Sequence, residues 1–340
     1  MEKRWVHHQH TNREVIDELS HQLTIDSNLA EILVNRGISS FEEARHFFRP
    51  QLAHLHDPFL MKDMEAAIDR IDLAISKEQK ILIYGDYDVD GTTAVALAYQ
   101  FFHQFTKNIA YYIPDRHSEG YGISTQGIDY ANTNGFDLII ALDCGIRSND
   151  KVAYANSLGI DFIICDHHLP AAEIPNAVAV LDPKRNDCEY PFKELSGCGI
   201  GFKLAQAYCM VKDLPDEFYE RYLDLCMISI AADIVPIVDE NRVMAYYGLL
   251  KLNENPSTGL KALMLISGKT ENYSIMDVVF MLAPRINAAG RMGHANEAVK
   301  MLLSDEDFIA DEQSALINLQ NTERKSFDKD ITLEALAIIE

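Results

Sequence analysis

Short apolar runs recur along the first half of the chain, separated by stretches whose apolar residues keep a helical period. Runs at 81–84, 109–113, 138–142, 162–165 and 178–181 contain no charged residue, as expected of strands buried on both faces. Helical patterns precede the first run at 64–76 and fill the gaps at 92–105, 125–133 and 149–157. Strand and helix alternating at this rate predict an α/β fold built on a doubly wound, mainly parallel sheet. Residues 1–60 read as a helical N-terminal leader, with Asn28 to Val34 ending at Arg36-Gly37 and Ser39-Ser40 opening a further helix. The α/β domain spans 61–240, a helical extension 241–305, and residues 306–340 start one long connecting helix. Gly197, Gly199 and Gly201 precede a predicted helix at 202–210, and another is predicted at 219–232. The last helix runs to the chain end without a cap, so the expectation is that these residues are the front part of a longer protein.

Parallel strands bring their C-terminal ends to one edge of the sheet, where ligand sites of open α/β folds form. Three polar clusters sit at such ends: Asp86-Tyr87-Asp88-Val89-Asp90-Gly91, Asp143, and Asp166-His167-His168. In an extended segment Asp86, Asp88 and Asp90 share a face, and a turn at Gly91 would fan them around a cation. The same spacing opens a calcium loop, but Leu97 stands where that loop needs Glu and a strand precedes it; a solvated acidic turn is the plainer alternative. Asp143 suits either a helix cap or a ligand. Two adjacent imidazoles after a buried strand have no packing rationale and suit manganese, zinc or iron. Asp233 ends an apolar helix, where a charge is costly unless paired or metal-bound. Carboxylates mixed with imidazole, without a nearby thiolate, favour Mn2+ or Mg2+ over structural zinc. Five or six ligands exceed one ion, so two ions sharing an aspartate are expected, an arrangement that serves phosphoester hydrolysis.

Composition adds limits. With 340 residues, 48% of them hydrophobic, the chain can bury a substantial core. Six cysteines without a Cys-x-x-Cys pair and a polar start predict a reduced, cytoplasmic setting. No run approaches the roughly 18 apolar residues of a membrane span. The formal charge of −22 disfavours a purely electrostatic nucleic-acid binder, yet bound cations would reverse the sign inside an acidic pocket.

Taken in order, Asp86 to Gly91, Asp143, Asp166-His167-His168 and Asp233 resemble the four motifs of the DHH phosphoesterase superfamily. Pro114 to Gly122 and Ala283 to Met292 are similar to segments of its RecJ-type branch. That resemblance implies a single-stranded-DNA-specific 5′→3′ exonuclease acting by two-metal catalysis in DNA repair and recombination. It makes Asp88, Asp90, Asp143, His167 and Asp233 metal ligands, with Asp143 as the bridge, Asp86 at or beside the metals, and His168 facing the scissile phosphate. Tyr84 stands where other members carry a histidine, and Asp86 is placed to substitute for it. Asp143, His168, Arg285 and Arg291 are implied for catalysis. Arg116, Tyr121, Arg285, Asn287 and Arg291 are implied for binding the strand. A helicase and a single-strand-binding protein are implied partners, and the branch's second domain and oligonucleotide-binding barrel are expected to be absent from this stretch. The alternatives are a DHH-type phosphodiesterase of short oligonucleotides or cyclic dinucleotides and an inactive Cdc45-like scaffold.

Overall fold

The computed structural model describes residues 12–293 and 295–339; the first eleven residues of the predicted leader and Glu340 lie outside the described residues. The chain divides into two compact units, Met1–Leu55 and His56–Glu340. In the first, helices α1 (Arg13–Leu23), α2 (Ser27–Val34) and α3 (Phe41–Phe48) enclose a small core of Ile16, Leu19, Ala30, Leu33, Ile38 and Ala44. Side chains satisfy the helix starts: Asp26 accepts from Asn28 N, and Ser40 with Glu43 forms a reciprocal capping box.

The second unit opens with α4 (Met64–Ser76) and then winds β1 (Ile81–Gly85), α5 (Val89–Phe102), β2 (Ile109–Tyr112), α6 (Thr125–Thr133), β3 (Leu138–Leu142), α7 (Asn149–Ser157), β4 (Asp161–Cys165) and β5 (Ala179–Leu181). All five strands are parallel in the order β2-β1-β3-β4-β5. The predicted doubly wound α/β sheet is therefore the observed one, with the switch in winding direction between β1 and β3. Strand register aligns the ends of the strands. Gly85 pairs with Leu142, Leu142 with Cys165, and Cys165 with Leu181. Asp86, Asp143, Asp166 and Asp182 consequently stand in one row, each the first residue past a level sheet edge.

Helices α8 (Gly197–Val211), α9 (Glu217–Glu220), α10 (Leu223–Ala232), α11 (Asp239–Glu254) and α12 (Thr258–Ser267) come next. A short α13 (Ile275–Asp277) leads through a widened π turn (Val278–Leu282) into α14 (Ala283–Met292), then α15 (Asn296–Leu303) and α16 (Asp307–Ile339). The π turn precedes Pro284, which has no N–H to donate back into the helix.

Three helices differ from the pattern-based expectation. The helix predicted from position 92 starts at Val89, because the Asp88 carboxylate caps it by accepting from Gly91 N at 3.0 Å. The three glycines lie inside α8 and not before it. A Cβ on Gly197 would stand 2.6 Å from Asp143 Cβ, so only glycine lets this helix end close on the sheet edge. The helix predicted over 219–232 is two, α9 and α10, with Tyr222 as the cap between them.

Helix α10 lies against α11, and Asp233 comes directly after the end of α10. A Cβ on Gly248 of α11 would fall 2.2 Å from Leu223 O and 2.5 Å from Met227 Cβ. Gly248→Ala is expected to destabilise the chain by roughly 1–3 kcal/mol through overpacking, read as a lowered denaturant midpoint; an unchanged midpoint would show that the two helices can part without loss.

Candidate metal centre

Each donor is fixed by the element that carries it. Asp86 is the first residue past β1, Asp88 caps α5, and Asp90 lies in the first turn of α5. Asp90 is therefore not part of an extended Asp-x-Asp-x-Asp ladder. Its buried carboxylate faces the start of α8, accepting at 2.7 Å from Gly197 N, Cys198 N and Ser229 Oγ. Two backbone donors at a helix N-terminus hold an anion by direct bonds and by the helix dipole. Ser196 caps α8 through Gly199 N at 3.1 Å and lies 2.6 Å from Ser229 Oγ.

Asp143 follows β3 in a left-handed conformation, φ +60°. It does not cap α7, whose N-cap position is Ser148. Its buried Oδ1 has no hydrogen-bond partner but lies 3.2 Å from His167 Nε2. The same Nε2 is 3.6 Å from Asp233 Oδ2 and 3.7 Å from Asp90 Oδ2. Next in the chain, His168 is oriented by Asp166, whose Oδ1 is 2.7 Å from His168 Nδ1. Asp166 also accepts from His167 N, His168 N and Ile146 N, so it fixes the backbone of both histidines and the ring of His168.

Ligand atoms of three triads lie within 4.8 Å of one another: Asp86, Asp88 and Asp143; Asp90, His167 and Asp233; and Asp143, His167 and His168. Asp143 and His167 each belong to two of them. Electrostatics describe a site short of positive charge. Burial and neighbouring Asp88 push Asp86 up to about 7; burial and the nearby Asp90 and Asp88 do the same to Asp233. Burial, then Asp90 and Asp88, raise Asp143 well above the usual carboxylate range. Asp166 differs: burial opposes it, but the hydrogen bond and charge of His168 hold it below that range, and the Asp166 bond raises His168 in return. Unpartnered buried oxygens on Asp86 and Asp143, beside a borderline imidazole donor, fit divalent cations. The residues that would hold them are Asp86, Asp88, Asp90, Asp143, His167 and Asp233.

A cavity of about 220 Å³ adjoins the centre on the β1 and β2 side. Asp86, Tyr87, Asp88, Arg116, Tyr121, Asn287, Gly290 and Arg291 line it. Asn287 Oδ1 accepts from Val89 N at 3.2 Å, tying α14 to the start of α5. The Arg116 guanidinium lies 5.2 Å from the Tyr87 ring centre, and Tyr121 meets Tyr87 edge to face. Arg285 is not among the lining residues. Its Nε donates to Asn318 Oδ1 at 2.9 Å and its Nη1 to Met281 O at 2.5 Å, so it fastens α14 to α16.

Pattern reading passed over Tyr87, hidden between two aspartates, and Asp182. Asp182 repeats the strand-then-aspartate signal of the other three strand ends and is pushed up to about 7 by burial. Tyr84, for which the resemblance implies a histidine in other members, points into the core and donates to Gly122 O at 3.0 Å.

The fold and the row of carboxylates and histidines at the sheet edge are those of a DHH-type α/β domain, and residues 80–230 match the DHH family, N-terminal domain. The chain is 42% identical over 333 residues to the single-stranded-DNA-specific exonuclease RecJ of Bacillus subtilis, covering 98% of this chain and 42% of that protein. Over 328 residues it is 32% identical to Escherichia coli RecJ, covering 92% and 56%. The crystal structure of exonuclease RecJ bound to manganese superposes with a TM-score of 0.77 at 28% identity, over 84% of this chain and 71% of that one. RecJ from Thermus thermophilus in complex with Mn2+ gives 0.82 at 25% identity, over 96% and 46%. The chain spans about half the length of the curated relatives it matches.

The electrostatics and the hydrogen bonds each lead to an expected outcome. Asp86 and Asp233 titrate near 7 when folded and near 3.9 when unfolded. The folded chain thus holds more protons between those values, and stability is lost as pH rises through the folded pKa. In chelator the melting temperature should fall from pH 5 to pH 8, more steeply than in Asp86→Asn; a steeper rise than the variant's would contradict the assignment. Ser229→Ala should weaken divalent-ion affinity about 10- to 100-fold by calorimetry, since it removes a bond that orients a ligand.

Proposed function

We propose that this chain carries the catalytic domain of a single-stranded-DNA-specific exonuclease that removes nucleotides from the 5′ end by two-metal phosphodiester hydrolysis. The observation that carries the reading is the adjacency of overlapping ligand triads to a cavity walled by two arginines and two tyrosines. The acidic side supplies cation ligands and the basic, aromatic side suits a strand: guanidinium groups take phosphates, and rings take unstacked bases. A cavity of about 220 Å³ is of a size to take a nucleotide. The named relatives are single-strand-specific, and two related structures hold manganese.

Asp86, Asp88 and Asp143 would hold one cation and Asp90, His167 and Asp233 the second, with Asp143 beside His167 joining the two sets. Bound Mn2+ or Mg2+ supplies charge that polarises the phosphodiester and activates a water molecule. The protein contributes position and further charge. Asp166 keeps His168 oriented and favours its protonated form, so His168 brings a hydrogen-bond donor to the phosphoryl oxygens as negative charge develops. Tyr121 Oη sits 3.2 Å from His168 Nε2 and presents its ring toward the strand. Arg116, Arg291 and Asn287 anchor the end of the strand.

Single-strand specificity makes a helicase or a single-strand-binding protein the natural supplier of substrate. All six cysteines are buried and free, in keeping with a reducing cytoplasm, and no described helix is long and apolar enough to cross a membrane.

The test uses single-stranded DNA labelled at either end. Manganese-dependent release of the 5′ label as mononucleotide is expected, with none in chelator, and Asp143→Asn should reduce the rate by more than about a hundredfold. Release of the 3′ label first, or activity surviving chelation, overturns the reading.

A further inference from the structure

A second cavity, about 560 Å³ in volume, borders the metal centre on its other side. Residues following β1 and β2, with α14, line the smaller one, whereas residues following β3, β4 and β5 line this one. Of the lining residues the two share only Tyr121. Its walls include Tyr121, Ile146, Arg147, His168, Leu169 and Lys184. The charge facing it is positive. Arg147 is anchored through Nε to Leu169 O at 2.7 Å, and among the described residues no carboxylate pairs with it. Lys184 lies 3.6 Å from Glu194 and near enough to act electrostatically on His167 and Asp233. The carboxylate of Asp166 also borders this space, but its oxygens are occupied by three backbone N–H groups and His168. Leu169 adds an apolar side chain 65% exposed to solvent, an unusual surface for a residue next to two metal-site histidines.

We propose that this cavity is the subsite for the retained strand: it takes the nucleoside beyond the cleaved bond, with Leu169 and Tyr121 against the base and Arg147 and Lys184 on the next phosphate. The assignment rests on the strand-cleavage reading of the metal centre. Its basis is what the two ends of the reaction require. A terminal nucleotide needs close walls, which Tyr87, Arg116 and Arg291 supply within about 220 Å³. A strand that continues needs an open way out and a cation for its next phosphate, which the larger cavity provides. A substrate crossing from one cavity to the other passes the ligand row and His168 with its connecting phosphate.

The test separates this subsite from hydrolysis itself. The intact chain in Mn2+ is titrated by calorimetry with two 5′-phosphorylated deoxydinucleotides made hydrolysis-resistant by a phosphorothioate linkage, one ending in a 3′-hydroxyl and the other in a 3′-phosphate. The 3′-phosphorylated form is expected to bind about tenfold tighter, the gain of one charge-assisted contact. Arg147→Gln with Lys184→Gln should erase that preference while Mn2+ still binds. Arg147→Lys with Lys184→Arg, which retains the charges, should keep most of it and guards against a loss through misfolding. Equal affinity for the two dinucleotides in the parent chain, or a preference that survives the neutral double variant, overturns the proposal. Cleavage of unmodified strands is scored separately: the 3′-phosphate preference without cleavage leaves the subsite standing and removes the exonuclease reading.

Discussion

Repulsion among clustered carboxylates is the constraint around which this domain is arranged. Asp90, Asp143 and Asp233 lie within a few ångströms of His167, Asp86 and Asp88 join Asp143, and burial with mutual repulsion raises Asp86, Asp88, Asp143 and Asp233 toward neutrality. In water such groups would repel weakly; in a low-dielectric edge each needs a donor, a proton or a cation. The fold supplies donors to some and leaves oxygens of Asp86 and Asp143 without any. That selective shortage suits the cluster to cations and sets it apart from a solvated acidic turn.

The donors come from elements distant in sequence. Asp90 depends on the N-terminus of α8 and on Ser229 of α10. Asp166 is satisfied by the backbone around it and by His168, so that its charge orients the His168 imidazole and does not join the shortage. Glycine makes the close approaches possible: Gly197 lets α8 meet Asp143, and Gly290 lets α14 reach Tyr87, where a Cβ would fall 2.3 Å from its carbonyl oxygen. The second of these contacts brings the cationic helix α14 and the anionic residues after β1 to the walls of one cavity.

A formal charge of −22 is thus compatible with a polyanionic substrate, because the charge that matters is local. Arg116 and Arg291 flank one side of the ligand row and Arg147 and Lys184 the other. With cations between them, the edge would become a positive track on a negative body and favour approach of phosphate there.

By itself the sequence determined the parallel α/β sheet, the strand ends that carry the carboxylates and histidines, and the family motifs, because apolar runs of strand length and residues directly following them are local signals. Whether Asp143 caps a helix could not be settled locally, since a cap and a ligand both put an aspartate after a strand; the left-handed turn and the cap at Ser148 five residues later exclude the cap. Asp90 looked like one rung of an extended acidic ladder, whereas Asp88 starts the helix early and turns Asp90 toward α8. Arg285 and Arg291 sit in one motif six residues apart, yet they part company, one bound to α16 and one lining the cavity. Tyr87 and Asp182 gained meaning only from register and from α14. Such outcomes depend on which groups from remote segments compete for a given donor, and only the packed tertiary structure sets that competition.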